Sequence, residues 1–216
     1  MRFQPPWSGA FRLQNYFHRT PEALPADTVE AIRAEILGSP LLAATNLSTQ
    51  FSGTYGFSCT FRLEALHLVK RKFPAFAPYL DVALLPECNA FLLNPLLVAR
   101  GRAVEAHIDK TLSYYGGGFR CPLAVSVLYV QVPERLEGGE LRLYHRGRKV
   151  AALTPMPRAL VTFRGDMVHE VTEVSSGAAD LSAARISLVM EQYRVPEEVR
   201  SRIPFIHVMT RAEGAA

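Results

Sequence analysis

From about Val82 onward, hydrophobic residues either cluster in short runs or alternate with polar ones, and turn-forming residues separate the runs. Such runs predict β-strands, because successive side chains on a strand point to opposite faces of a sheet. The pattern predicts eight strands, at 88–93, 103–108, 123–132, 140–145, 149–153, 159–163, 169–174 and 185–193. This spacing favours a mainly β protein with a β-sandwich or jelly-roll core over residues 82–195.

The first third of the chain has a helical pattern instead. Gly38 ends a first predicted helix, in which apolar residues recur at helical spacing: Val29, Ile32, Ile36 and Leu37. Asp27 is placed to cap this helix, with Glu30 as its capping-box partner. A second helix is expected at 63–73, stopped by Pro74. We therefore expect a single domain, in which residues 1–80 form a partly helical support packed on one sheet and residues 196–216 form a C-terminal tail.

The composition agrees with a globular domain, and the distribution of basic residues argues against nucleic acid as a binding partner. The chain has 216 residues, of which 49% are hydrophobic and 20% charged, so disorder is not expected. The net charge is +4, and the densest basic run is only Lys70-Arg71-Lys72, which we interpret as a solvated helix face. No groove of interleaved basic and aromatic residues is visible, so nucleic acid is not an expected partner.

The cysteines and the N-terminal residues indicate the cellular compartment in which the protein is expected to reside. The three cysteines, Cys59, Cys88 and Cys121, are far apart and form no C-x-x-C pair, so neither a disulfide framework nor a zinc ribbon is expected. Free thiols are typical of a reducing compartment. Residues 1–17 lack the apolar core of a secretory signal, and no run is apolar and long enough to cross a bilayer. We expect a cytoplasmic protein with no membrane partner.

The segment His107-Ile108-Asp109 carries the most informative chemistry. Two residues that are two apart on a strand project to the same side, so His107 and Asp109 present an imidazole and a carboxylate to one point in space. His169, just after the turn Gly165-Asp166, is the best candidate for a third ligand. Two histidines and one carboxylate form the facial triad of non-haem Fe(II) oxygenases, which leaves positions for a bidentate 2-oxo acid and for O2. These three residues are thus the predicted metal ligands and catalytic residues.

An H-x-D sequence is common by chance, and a single histidine in a β protein is more often structural than a ligand. The remaining histidines supply the contrast, because none has a carboxylate two residues away: His18, His67, His145 and His207. We interpret these four as structural or surface residues.

Arg185 and Ser187 are the candidate cosubstrate residues. The run from Arg185 to Met190 alternates cleanly, so Arg185 and Ser187 share one face of a strand and the apolar residues share the other. An arginine on the inner face of a β core is costly unless an anion meets it. A dicarboxylate would do so through a bidentate pair, with a further hydrogen bond from Ser187. The alternative is an edge arginine that is solvated or paired with a nearby acid.

Several motifs in this order resemble the Fe(II)/2-oxoglutarate-dependent dioxygenase superfamily, and in particular its prolyl-hydroxylase-like branch. They are His107-Ile108-Asp109, the strand 126–130, Leu136-Glu137-Gly138-Gly139-Glu140-Leu141, the stretch 160–171 that contains Gly165-Asp166 and His169, and Arg185-Ile186-Ser187. The resemblance covers roughly residues 85–195. It implies a double-stranded β-helix, which is a jelly roll with the metal at its open mouth.

The resemblance also implies a reaction. Fe(II) and 2-oxoglutarate would be the cofactor and cosubstrate, with O2 as the oxidant, ascorbate as a supporting reductant, and succinate and CO2 as products. The expected outcome is hydroxylation of an unactivated C–H bond in a peptidyl residue or a small molecule. Desaturation or cyclisation of a natural product by the same iron centre is an alternative, and so is a non-catalytic jelly-roll binding module. Because Asp109 is present, a halide-binding variant is excluded.

The sequence departs from the family pattern in two places. The gap between His169 and Arg185 is long, with the excess in the loop 175–182, so Arg164 is the alternative anchor. The strand before His107 has no tyrosine, and Asn89, Asn94 or Tyr129 would then contact the cosubstrate. Finally, the glycine-rich stretch 114–119 predicts either a mobile lid over the mouth or an ordinary long turn.

Overall fold

Two antiparallel β-sheets form the centre of the molecule. The computed structural model describes residues 16–44, 48–116, 121–175 and 180–210. In chain order, its strands and α-helices are β1 (Phe17–Thr20), α1 (Ala26–Leu37), β2 (Ala43–Ala44), β3 (Tyr55–Gly56), β4 (Ser58–Arg62), α2 (Leu66–Lys72), α3 (Ala77–Ala83), β5 (Ala90–Val98), β6 (Val104–His107), β7 (Ala124–Gln131), β8 (Leu141–His145), β9 (Arg148–Leu153), β10 (Leu160–Arg164), β11 (Val168–Val171), β12 (Arg185–Tyr193), α4 (Glu197–Arg200) and β13 (Ile206–Met209).

The larger sheet has the strand order β1-β10-β7-β12-β5-β3-β2, and β4 pairs with both β5 and β13. The smaller sheet has the order β6-β11-β8-β9. The expectation of a mainly β jelly-roll core is therefore confirmed. All eight predicted strands are present, with ends shifted by a few residues. The largest difference is β5, which begins at Ala90 and continues through Pro95 to Val98.

The central strand β12 separates two environments. It pairs with β5 along one edge and with β7 along the other. Its outward side chains enter the largest hydrophobic cluster: Ile186, Leu188 and Met190. Its other side faces the second sheet and carries Arg185, Ser187, Val189 and Glu191, all of which line one cavity. The predicted alternation along this strand is confirmed, and the polar residues lie on the inner face.

The N-terminal helices pack on the outer face of the larger sheet, as expected. Val29, Ile32 and Ile36 of α1 are buried in the same cluster as the outward side chains of β12. Burying one such aliphatic side chain contributes about 1.5–3 kcal/mol, so these contacts fix the helix against the sheet. Among the described residues, no helix is both long enough and apolar enough to cross a membrane.

Details of the helical region differ from the predictions. The capping box at Asp27 is wrong: α1 begins at Ala26 after Pro25, with no side-chain cap, and the Asp27 carboxylate accepts from the neighbouring Thr28 N–H at 2.8 Å. The second helix is shorter than predicted, because a 3₁₀ turn occupies its first residues, Leu63–Ala65. This helix ends at Lys72, before Pro74, as predicted, and Pro74 begins a 3₁₀ turn that runs into α3.

Residues beyond 195 also contribute regular structure. The helix α4 follows Pro196 and has Val199 buried. The strand β13 pairs with β4, with Ile206 opposite Phe61 and Met209 opposite Ser58. Residues 196–210, which the sequence indicates as part of a tail, thus contain a helix and a strand, and the strand extends the edge of the larger sheet.

Candidate metal and cosubstrate site

Strand pairing brings His107 and His169 together. In the smaller sheet β6 and β11 are antiparallel neighbours, and His169 lies directly opposite His107 in their register. The strand β6 ends at His107, and Asp109 follows two residues later, so its carboxylate folds back onto both imidazoles. Ile108 between them is 38% exposed and turns away. Residues 62 positions apart in the chain therefore meet because two short strands pair in one register.

The three side chains converge on one point. Asp109 Oδ1 is 3.3 Å from His107 Nε2, and Asp109 Oδ2 is 3.4 Å from His169 Nε2. The ligand atoms all lie within 4.8 Å of one another, and no other group of three or more such residues is found in the described parts of the chain. Two ligand atoms bound at right angles to one cation, each about 2.1 Å from it, are about 3 Å apart. The spacing therefore fits the facial arrangement around a small divalent cation.

Backbone carbonyl groups orient both imidazole rings. His107 Nδ1 is 2.7 Å from the carbonyl oxygen of Glu105, and His169 Nδ1 is 3.2 Å from that of Met167. Because a carbonyl only accepts, each Nδ1 carries the proton and each Nε2 keeps its lone pair for a metal. His107 Nε2 is buried and has no hydrogen-bond partner among the described residues. A buried imidazole nitrogen whose lone pair is free is suited to coordinate a metal cation.

The electrostatics of the metal-free site favour an ionised carboxylate. Burial alone would raise the pKa of Asp109, but the charges of His169 and His107 lower it overall. Burial lowers the pKa of His169. Burial would also lower the pKa of His107, yet the nearby Asp109 carboxylate raises it overall. A cation bound at this point would meet one negative carboxylate and two imidazole nitrogens.

A cavity of about 670 Å³ lies between the two sheets and contains the three residues. Such a volume is typical of a small-molecule site. Most of its walls are apolar, and they include Leu92, Leu96, Val125 and Val127 from the larger sheet. Arg185 and Ser187 line the same cavity. The predicted metal ligands therefore share one cavity with Arg185 and Ser187, whereas Tyr129 is not among the residues that line it.

Arg185 is buried without an anion. Its side chain is 1% exposed, and neither Nε nor Nη1 has a hydrogen-bond partner among the described residues. Its Cζ lies 5.0 Å from the ring centroid of Tyr129, and burial lowers its pKa. The hydroxyls of Tyr129 and Ser187 are also buried without a partner in this part of the structure. Orphaned buried polar groups are costly, so their clustering indicates a missing polar ligand.

The glycine pair of the Glu137–Glu140 turn makes room for Arg185. A Cβ at Gly139 would meet Arg185 Cδ at 3.1 Å, and Gly139 adopts φ +67°, a conformation that other residues rarely take. At Gly138 a Cβ would meet the carbonyl oxygen of Glu173 at 1.8 Å. The Gly-Gly sequence therefore lets the turn approach both the strand region after β11 and the arginine stem.

The alternative cosubstrate residues have other partners. Arg164 forms an ion pair with Asp166 near the surface. The Asn94 side chain lines the cavity, but its amide nitrogen donates to the carbonyls of Phe57 and Pro95 at 2.8 and 2.7 Å. Asn89 exchanges two hydrogen bonds with the backbone of Val195 and does not line the cavity. Of the residues considered from sequence, Arg185, Ser187 and Tyr129 are the ones whose buried polar groups lack partners.

Two cavity residues were not predicted. Glu191 lies on the inner face of β12 and is 6% exposed, and burial together with the charge of Asp109 raises its pKa well above the usual value. Its position, at even spacing from Arg185 and Ser187, is a signal that the sequence contains. Phe51 packs edge-on against His107 with ring centroids 4.9 Å apart. No local pattern predicts that contact, because the two residues are distant in the chain.

The predicted lid lies partly outside the described residues. Residues 117–119 belong to a part of the chain about which nothing is described, as do residues 176–179 of the long loop before β12. The preceding residues Thr111–Tyr115 form a 3₁₀ turn, and Tyr114 lines the cavity while being 86% exposed. The choice between a lid and an ordinary turn stays a prediction.

The fold is similar to that of solved prolyl-hydroxylase-like 2-oxoglutarate/Fe(II) oxygenases. A prolyl-4-hydroxylase from Pseudomonas putida superposes with a TM-score of 0.55 at 20% identity, covering 84% of this chain and 94% of the other. An oxidoreductase of the 2OG-Fe(II) oxygenase family from Burkholderia pseudomallei gives 0.54 at 15% identity, covering 90% and 96%.

A viral collagen prolyl hydroxylase from Paramecium bursaria Chlorella virus-1, solved as a 2OG complex, gives a TM-score of 0.51 at 14% identity, covering 84% of this chain and 97% of the other. No protein-family model and no curated protein sequence matches the chain. The structural likeness at these identities establishes the fold. It agrees with the resemblance that the order of motifs in the sequence predicts.

Proposed function

We propose that this protein is an Fe(II)- and 2-oxoglutarate-dependent oxygenase that hydroxylates an unactivated C–H bond. One observation carries the proposal: the His107–Asp109–His169 group and the partnerless buried Arg185 line the same cavity. A metal triad alone is compatible with several chemistries. A metal triad that shares its cavity with an unmatched buried cation fits a cosubstrate that is both a chelator and a dianion.

In this proposal each group has one task. His107 Nε2, His169 Nε2 and Asp109 hold Fe(II), while the carbonyls of Glu105 and Met167 keep the two rings in place. Arg185 receives the distal carboxylate of 2-oxoglutarate, and the hydroxyls of Ser187 and Tyr129 are the donors beside it. When bound, the metal and cosubstrate together supply oxidative decarboxylation to succinate and CO2, coupled to oxidation of the substrate C–H bond by O2.

The remaining walls protect the reaction. Leu92, Leu96, Val125 and Val127 make most of the larger-sheet wall apolar. Phe51 covers one face of His107 from the N-terminal part of the chain. An apolar wall excludes water, which limits side reactions and strengthens the polar contacts that remain inside. The helical support thus reaches the site through the segment that contains Phe51.

The substrate would be a peptidyl residue or a small molecule. The fold neighbours include proteins named as prolyl hydroxylases, which supports hydroxylation as the outcome. The cavity of about 670 Å³ is larger than a five-carbon diacid requires, so it has room for part of a second molecule beside the cosubstrate. Ascorbate is expected to sustain turnover by keeping the iron ferrous.

The proposal is tested by succinate formation from 2-oxoglutarate with Fe(II), ascorbate and O2. We expect slow succinate release by the wild type even without substrate, and loss of at least 100-fold in His107→Ala. The matched control is His67→Ala, because His67 is exposed on α2 and its ring bonds only to the nearby carbonyl of Glu64. The control should retain the wild-type rate.

Mn(II) binding followed by electron paramagnetic resonance gives a second readout that needs no turnover. The wild type and His67→Ala should bind one Mn(II), and His107→Ala should bind it at least 10-fold more weakly. A wild type that binds neither Mn(II) nor 2-oxoglutarate would contradict the proposal. A wild type that binds both but forms no succinate with any substrate mixture would instead support a non-catalytic binding module.

A further inference from the structure

Glu191 places a second carboxylate in the cavity, at the opposite end of the β12 inner face from Arg185. The side chain is 6% exposed and lines the cavity. It forms no ion pair with any residue in the described ranges. A buried carboxylate without a cation is costly, and nothing in the proposed metal or cosubstrate binding uses this one.

Neighbouring hydroxyls hold the Glu191 carboxylate as an acceptor. Thr111 Oγ1 donates to Glu191 Oε1 at 2.9 Å, and the Tyr193 hydroxyl donates to Oε2. The Leu112 N–H lies 3.5 Å from the same Tyr193 oxygen, which occupies that oxygen as an acceptor and directs its proton towards Glu191. A carboxylate has about four acceptor positions, so both oxygens keep a further position for a donor in the cavity.

The cosubstrate is not the partner of Glu191. Glu191 lies six positions after Arg185 on one strand, which places their Cα atoms roughly 20 Å apart. This span is much longer than a five-carbon diacid held at Arg185. A carboxylate of the cosubstrate would also be repelled by Glu191. The Glu191 end of the cavity therefore belongs to whatever binds beside the cosubstrate.

The balance of charges in the cavity also indicates that the Glu191 end binds the second molecule. With metal and cosubstrate bound, the divalent cation and Arg185 are balanced by Asp109 and the two carboxylates of 2-oxoglutarate. Asp166 is paired with Arg164 outside this balance. Glu191 is then left over as a carboxyl group whose pKa burial raises, so its ionised form needs a cation beside it. The only other cationic residue among the described residues that line the cavity is Lys110, which is exposed to solvent.

We propose that the substrate carries a protonated amine or guanidinium group and that Glu191 binds it, with Thr111 and Tyr193 as positioning residues. This inference rests on the proposed oxygenase function and names the class of its substrate. A charge-assisted hydrogen bond in a desolvated pocket is directional, so it would fix the substrate relative to the metal ligands as well as select it.

The test uses the whole protein loaded with Mn(II) and 2-oxoglutarate, and measures binding by calorimetry. The probes are matched pairs that differ in one basic group: n-butylamine and n-butanol, L-amino acids and the corresponding 2-hydroxy acids, Nα-acetyl-lysine amide and Nα-acetyl-norleucine amide, and n-butylguanidine and n-butylurea. In the wild type, at least one basic probe should bind 10-fold or more tightly than its neutral partner.

The matched variants are Glu191→Gln, which keeps the shape and removes the charge, and Glu134→Gln on the exposed turn after β7. Glu191→Gln should reduce the preference for the basic probe to within 2-fold, and Glu134→Gln should leave it unchanged. If Glu191→Gln does not fold, Tyr193→Phe removes one hydroxyl from the same carboxylate and should reduce the preference at least 3-fold. Absence of any 10-fold preference in the wild type overturns the inference, and so does a preference that survives these changes.

Failure of this inference can be separated from failure of the proposed function. Binding of Mn(II) and 2-oxoglutarate is measured before any probe is added, and its absence contradicts the oxygenase proposal itself. Intact binding of both, together with equal affinity for basic and neutral probes, contradicts only the assignment of Glu191.

Discussion

The guanidinium of Arg185 lies over the ring of Tyr129, with its Cζ 5.0 Å from the ring centroid, and both side chains are completely buried. The aromatic face offsets part of the cost of burying the cation, because a desolvated cation–π contact contributes about 2 kcal/mol. It does not supply the hydrogen bonds that Nε and Nη1 lack among the described residues. Arg185 and Tyr129 therefore form a preorganised anion-binding site, in which the guanidinium donors are already held in position before an anion binds.

We expect Arg185→Gln to weaken 2-oxoglutarate binding by about 10- to 100-fold, because hydrogen bonds to charged groups contribute roughly 1.5–3 kcal/mol. The change should leave Mn(II) affinity within 2-fold, since the metal ligands lie on the smaller sheet. Calorimetric titration of the Mn(II)-loaded protein with 2-oxoglutarate measures the first quantity, and titration of the metal-free protein with Mn(II) measures the second. Arg148→Gln, an exposed arginine on β9, is the control and should change neither.

Thermal unfolding gives an independent check of the same site. 2-Oxoglutarate should raise the Tm of the Mn(II)-loaded wild type and have little effect on Arg185→Gln, because a ligand stabilises only the state that binds it. Without ligand, Arg185→Gln should be at least as stable as the wild type, since it removes an unpaired buried charge. A large loss of stability in ligand-free Arg185→Gln would show that Arg185 is a structural residue instead.

Ser187→Ala should have a smaller effect in the same assay. The Ser187 hydroxyl is fully buried on the inner face of β12 and has no hydrogen-bond partner in the described structure. Removing one neutral hydrogen bond to the cosubstrate costs about 0.5–1.5 kcal/mol, which corresponds to a 2- to 13-fold weaker affinity. Ligand-free stability should not fall, because the lost hydroxyl bonds to nothing there. An unchanged 2-oxoglutarate affinity would place the cosubstrate away from β12.

The parts of the site that were predictable depend on local spacing. The alternation from Arg185 to Met190 follows from strand geometry, as the sequence predicts. His107 and Asp109 do converge, but β6 ends at His107, so Asp109 reaches the site from the residues after the strand and not by alternation along it. The pairing of His107 with His169 needed the order of motifs as well, because the sequence does not state which strands are neighbours. The contact of Phe51 with His107 could not be predicted from the sequence, because it depends on where the whole N-terminal region packs.

Prolines explain one correct prediction and one difference in the fold. The helix α2 ends before Pro74, as the sequence predicts, and Pro74 and Pro78 each lie in the first turn of the next helical segment, where a missing N–H costs nothing. Pro95 suggests an end to a strand, yet β5 continues through it. Beside Pro95 the neighbour of β5 changes from β4, which pairs as far as Leu93, to β3, which pairs from Leu96. Proline falls in the gap where no ladder donor is needed on that edge.

In the turn before β8, the cost of a steric collision can be separated from the cost of an unfavourable backbone conformation. Gly138 and Gly147 both have φ +75°, so alanine at either position pays a similar conformational cost of about 1–2 kcal/mol. At Gly138 a Cβ would also meet the Glu173 carbonyl oxygen at 1.8 Å, whereas at Gly147 nothing lies within 4 Å. The two substitutions therefore differ only in the collision.

We expect Gly138→Ala to lower the free energy of unfolding by at least about 2 kcal/mol more than Gly147→Ala, because the carbonyl belongs to backbone that pairs across the turn. Chemical denaturation of both variants measures the difference. Gly138→Ala should also weaken 2-oxoglutarate binding, since Gly139 beside it packs against the Arg185 stem. Equal losses of stability in the two variants would mean that the turn moves away from Glu173 without cost.

The cysteines provide a probe of the cavity that needs no substrate. Cys59 and Cys88 are buried, and desolvation raises the pKa of each thiol to about 12, so both are protonated and inaccessible at pH 8. Cys121 is partly exposed and lines the cavity, and burial raises its pKa less strongly. Because the thiolate is the reactive form, Cys121 should be the one thiol that a disulfide reagent modifies in the native protein.

We expect one thiol to react in native wild type at pH 8, and all three in denaturant. Mn(II) with 2-oxoglutarate should slow the native reaction several-fold, because ligands in the cavity restrict access to Cys121. Cys121→Ser should show no native reaction on the same timescale, and its stability should match that of the wild type. Rapid modification of Cys121→Ser would show that Cys59 or Cys88 becomes exposed in the folded state. An unchanged rate on adding metal and cosubstrate would place both ligands away from the part of the cavity that Cys121 lines.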